Sequence, residues 1–119
     1  MQDYPKHIKR LIREWNAETH ERELRRELTR LDQSFAEWRG GTISSGELAH
    51  RIHEWDRGPA RGLDEQYNSR RIDMNVAYAI VVGLLSQDEV PPELVQALER
   101  PLAFYLDLKE RDELRYPEA

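Results

Sequence analysis

Glu47 and His50 stand three residues apart, so on a helix their carboxylate and imidazole share one face. That spacing holds iron or manganese in the core of carboxylate-bridged helical bundles, and His53 and Glu54 are near enough to enlarge such a site. The chemistry needs two Glu-x-x-His pairs and further glutamates, and this sequence has one pair. Glu47, His50, Glu54 and Arg57 also fall opposite Leu48, Ile52 and Trp55 on a helical projection. We therefore read them as a solvated charged face with i,i+4 pairing, and assign no metal and no cofactor.

Two acidic runs invite a magnesium reading: Glu14, Glu18 and Glu21, and Asp107, Glu110 and Glu113. Magnesium takes one or two carboxylates together with water and substrate phosphate, so the alternative function is a metal-dependent helical phosphohydrolase acting on nucleotides. Such runs arise readily by chance in an acidic chain. Arg22, Arg25, Arg26 and Arg30 make a basic stretch, but Glu18, Glu21, Glu23 and Glu27 interleave it at pairing distances. A phosphate-backbone groove needs uncompensated charge, so nucleic acid is disfavoured as a partner. Arg57, Arg61, Arg70 and Arg71 are the candidate contacts for an anion or a partner carboxylate, because guanidinium forks bind such groups in bidentate fashion. The stretch from Arg57 to Gly62 reads as a structured surface loop. Nucleophilic catalysis has no foothold: there is no cysteine, no Gly-x-Ser-x-Gly and no phosphate loop, and no catalytic residue is assigned.

The chain has 119 residues, the size of a single domain, here taken as 1–119 with a frayed tail from about 116. Apolar residues supply 39% and charged residues 34%, which limits the core and makes a second surface useful. Net charge is −5, and residues 87–119 hold nine acidic against four basic side chains. The longest apolar stretch, Val76 to Leu85, is about half of a membrane span. With no cysteine and no apolar run behind the basic N-terminus, the expectation is a cytoplasmic protein with no membrane association.

The elements follow from apolar spacing. Residues 5–38 are helical, with Ile8, Leu11, Ile12 and Trp15 on one stripe and Leu24, Leu28, Leu31, Phe35 and Trp38 on another. The stripes lie about 160° apart at 100° per residue. Either the helix breaks near residues 16–19, where Thr19 could cap a new start, or one long helix buries opposite faces at its two ends. Gly40-Gly41 ends this region, and Ser44 with Glu47 reads as a capping box stapled by Ile43 and Leu48. The short helix so opened stops at Gly58-Pro59. A central helix apolar nearly all round spans about 63–86, with Asn68-Ser69 as a possible later start. Pro91-Pro92 opens the last helical region, and Pro101 kinks or restarts it.

The architecture expected is an all-α bundle of four or five helices. The function expected is that of a non-enzymatic interaction protein, self-associating, with a regulatory or accessory role and a possible protein partner. Because one straight helix cannot press both stripes on one small core, the expected homodimer uses Ile8, Leu11, Ile12 and Trp15. Trp15, Trp38 and Trp55 are core residues by default, and any that proves exposed marks an interface.

Overall fold

The computed structural model describes residues 3–117, and among these the regular structure is helical throughout, with no strand. The elements are α1 (Lys6–Arg39), α2 (Ser45–Trp55), a π-helical turn (Asp56–Ala60), α3 (Arg61–Tyr67), α4 (Ile72–Val82), α5 (Pro92–Ala97) and α6 (Glu99–Glu110). Residues 118 and 119, the end of the tail expected to fray, lie outside the described residues. Tyr116 just before them is exposed.

Residues 6–39 form one helix, without a break at 16–19. Thr19 does not cap. Its Oγ1 donates back to the Trp15 carbonyl at 2.8 Å, a bond that a mid-helix threonine can make without ending the helix. The helix stops where the sequence has two glycines. Gly41 adopts φ +80°, its N–H reaches the Trp38 carbonyl, and the Thr42 N–H reaches Glu37, which is the paired closure of a Schellman end. Ser44 then caps α2 by accepting from the Glu47 N–H at 3.1 Å. Leu48 is buried, as the staple requires.

The expected stop at Gly58-Pro59 is corrected. The chain remains helical from Ser45 to Tyr67, through a π turn that contains Pro59. Proline in an α-helix collides with the carbonyl four residues earlier, and one wider turn carries the chain past that collision. Arg57 to Gly62 is therefore helical and not a loop.

The chain divides into two compact units. One holds residues up to Thr19 together with those from Tyr67 onward. Its core is Tyr4, Ile8, Leu11, Ile12, Val76, Ala79, Leu85, Val90, Leu94 and Leu98, with Trp15, Ile80 and Leu102 packed on it. Each fully buried aliphatic side chain here contributes about 1.5–3 kcal/mol. No residue of α4 is exposed, which fits a central apolar helix. It starts at Ile72 and not near 63, because Asn68 to Arg71 interrupt the helical run. Asn16 sits across that interruption, donating to the Tyr67 carbonyl at the end of α3 at 2.9 Å and accepting from Asn75 of α4 at 3.2 Å. A terminal helix carbonyl that lacks an intrahelical donor is thereby satisfied. Pro92 is the first residue of α5, and Pro101 lies in the first turn of α6, where a missing N–H costs nothing.

The other unit runs from His20 to Gln66: the second half of α1, then α2, the π turn and most of α3. Leu48 is its one hydrophobic side chain in the buried class. Trp55 donates from Nε1 to the Glu27 carbonyl at 3.1 Å, and Arg51 donates to Ser34 at 3.2 Å. These contacts seat α2 along the Glu27–Ser34 side of α1 and leave the Leu28 edge of the Leu24–Trp38 stripe exposed.

Candidate functional site

The residues expected to join two copies are used within the chain. Ile8, Leu11 and Ile12 are buried in the core of the first unit and Trp15 packs against it. They share that core with Val76, Leu94 and Leu98. Three of the four residues assigned to the dimer contact thus lie in the core of the first unit.

The second stripe behaves otherwise. Leu28 is 46% exposed and Trp38 41%, while Leu24, Leu31 and Phe35 are half-buried. A shallow groove along this side of α1 is lined by Glu21, Leu24, Arg25, Leu28, Thr29 and Asp32. Trp38 is held at the end of α1 by donating from Nε1 to Ser45 Oγ at 3.0 Å. On α2, Ile52 is also exposed. The result is an apolar strip edged by charge, on a unit with almost no apolar interior of its own. The reason lies in α1 itself. Its face that begins with Ile8, Ile12 and Thr19 continues as Glu23, Arg26, Glu27 and Arg30, so the buried side turns ionic where the apolar residues move to the open side. Glu23 is buried and pairs with Arg26 at 3.8 Å, and Glu27 pairs with Arg30 at 3.0 Å.

Arg57 and Arg61 belong to one unit, Arg70 and Arg71 to the other, and all four are exposed. A different arginine is the organised one. Arg51 bonds to Glu47 Oε1 at 3.0 Å and Glu37 Oε2 at 2.5 Å, and both bonds hold its guanidinium strongly charged. Glu47 is thus engaged with Arg51, and His50 is exposed on the rim of a second groove beside Trp55 and Pro59. Glu47 and Arg51 stand four residues apart on α2, whereas the reach to Glu37 across the hairpin had no signal in the sequence.

Four of the six carboxylates in the acidic runs stand beside an arginine. Glu14 pairs with Arg10, Glu21 with Arg25, and both Asp107 and Glu113 with Arg111. Among the described residues no three His, Asp or Glu side chains converge as a metal site would require, and no helix is long and apolar enough to cross a membrane.

A buried polar pair was not anticipated. Tyr4 donates its hydroxyl to Asp73 Oδ2 at 3.0 Å, with both residues buried. Burial, and then the Asp73 carboxylate, push the Tyr4 phenol well above its ordinary range. Burial also raises Tyr105, with Asp73 adding to the shift and Arg71 opposing it. Tyr105 stacks edge-on against Tyr78 at 5.4 Å, so α4 and α6 meet through aromatic contact at this end of the core.

Comparisons with protein-family models, curated proteins and solved structures returned no match for this chain.

Proposed function

We propose that this protein works by binding and not by catalysis, as a self-associating helical module with a regulatory or accessory role in the cytoplasm. The observation that carries the reading is the apolar strip Leu24, Leu28, Leu31, Phe35 and Trp38, with Leu28 and Trp38 exposed and the other three half-buried, on a unit with a single buried hydrophobic side chain. Large apolar side chains grouped on one face, with an exposed tryptophan at the end, are what a protein interface places at its centre. A second copy is the partner of choice, because twofold pairing lets one patch cover itself. The lack of cysteine supports a reducing compartment.

Light scattering behind size exclusion tests this at tens of micromolar protein. The expected result is a dimer mass for the wild type and a monomer mass for Leu28→Asp, with the circular dichroism of the two unchanged. A wild-type monomer across that range overturns the reading.

A further inference from the structure

The charges that edge the apolar strip carry information about how two copies meet. Along the open side of α1, in chain order, stand Glu21, Arg25, Asp32 and Arg39: negative, positive, negative, positive. All four are exposed, and three of them line or border the same groove as Leu28. Read backwards, the series is positive, negative, positive, negative. The pattern is therefore complementary to itself when reversed, and opposed to itself when laid parallel and in register.

From this complementarity we infer that two copies pair their α1 helices antiparallel, about a twofold axis near residue 29. The inference rests on the self-association proposed above. Glu21 then faces Arg39 of the second copy and Arg25 faces its Asp32, with the two Leu28 side chains beside the axis. The midpoints lie 1.5 residues apart, 21 with 39 centring on 30 and 25 with 32 on 28.5, an offset that long arginine side chains span. Within the chain, Arg25 reaches Glu21 at 3.9 Å with both side chains largely exposed, so that pair is readily exchanged. The α2 helix meets the Leu31 and Trp38 edge of the stripe, along Glu27 and Ser34, and contributes nothing to the groove around Leu28. A parallel in-register pair would set each of the four charges against its own copy, and like charges so placed disfavour association.

Charge exchange tests the arrangement. Arg25→Asp alone and Asp32→Arg alone are each expected to weaken dimerisation about tenfold, since each sets like charges together twice across the axis. The double variant Arg25→Asp/Asp32→Arg restores the wild-type dissociation constant to within about threefold, because the complementarity is rebuilt with its sign reversed. The cysteine-free chain also permits a single spin label at Ala17→Cys. In the antiparallel pair, two labels twelve residues from the axis are separated by about 36 Å along the helix, whereas a parallel pair brings them within about 20 Å. A wild-type monomer overturns the self-association itself. A wild-type dimer whose double variant stays weak, or whose labels lie close together, keeps self-association and overturns this arrangement.

Discussion

Tyr4 and Asp73 form the contact in which one atom's ionisation governs packing. The Tyr4 phenol is raised from its ordinary value near 10 by burial, then by its bond to Asp73 and that carboxylate's charge. A pKa higher in the folded than in the unfolded chain means that folding favours the protonated phenol. The resulting stability is fully present below pH 10 and is lost as pH rises toward the folded value. Urea midpoints are therefore expected to fall on the alkaline side of pH 10. Tyr4→Phe should flatten that fall and lower the midpoint at pH 7 by the equivalent of about 1 kcal/mol, the worth of one hydrogen bond. Tyr105, raised by the same burial and by Asp73, leaves a residual slope in the variant. An alkaline limb identical in the two proteins would show that Tyr4 ionises as freely in the fold as outside it. Nothing in the sequence announced this pair. Asp73 follows Ile72 at the start of an apolar helix and reads as an ordinary acidic first-turn residue, and its partner lies 69 positions away. Local signals at the same scale were legible because their chemistry is local: the Ser44 hydroxyl takes the Glu47 N–H three residues on, while the Glu47 carboxylate, the other half of the box, goes to Arg51.

At the scale of elements, the end of α1 and the start of α2 set opposite demands on two glycines five residues apart. Gly41 holds φ +80°, where a Cβ meets no neighbouring atom but is strained by its own backbone. Gly46 lies inside the first turn of α2, with the nearest outside atom, Ser44 Oγ, at 3.9 Å from a Cβ. Gly41→Ala should lower stability by about 1–2 kcal/mol. Gly46→Ala should raise it by about 0.5–1 kcal/mol, through reduced freedom of the unfolded chain and better helix propensity. Thermal melts of the two variants beside the wild type measure both, and shifts of the same sign would refute the assignment of Gly41 to the helix end. Helix existence was readable from spacing throughout, because apolar periodicity survives any tertiary arrangement. Two boundaries were not. Gly58-Pro59 is a stop signal in an α-helix, and a single π turn removes the reason for stopping. In α1, the shift of phase between Ile8–Trp15 and Leu24–Trp38 reads equally as a break or as a change of face. Only the burial of Glu23 and the half-burial of Arg26, Glu27 and Arg30 show that the helix continues while its inward side turns ionic. Charged residues buried in pairs leave no apolar trace for periodicity to detect.

Over the whole molecule, apolar burial is divided unequally, and this leads to a prediction about motion. Residues up to Thr19 and from Tyr67 onward share a core in which Ile12, Val76, Ala79, Leu85, Leu94 and Leu98 have no exposed surface. The stretch from His20 to Gln66 buries Leu48 and otherwise relies on half-buried aromatics and on ion pairs such as Arg51 with Glu37 and Glu47. Exposed and half-exposed ion pairs contribute little each, on the order of 0–1 kcal/mol, so this stretch has less to hold it closed than the first unit. Local opening is therefore expected to be frequent there, and amides of α2 should exchange hydrogen for deuterium well before those of α4, which open only with the whole first unit. If a second copy covers Leu28 and Phe35, protection within the 20–66 stretch must also depend on concentration, since a partner that binds only the closed form stabilises it by mass action. Raising the protein concentration a hundredfold through the dimerisation midpoint should slow exchange in the second half of α1 and in α2, and leave α4 nearly unchanged. Leu28→Asp should exchange at all concentrations as the dilute wild type does. Equal protection of α2 and α4 in dilute protein would mean that the ionic inner face of α1 holds its unit as firmly as the apolar core holds the other. A difference between them that ignores concentration would mean that the strip around Leu28 stays uncovered in solution.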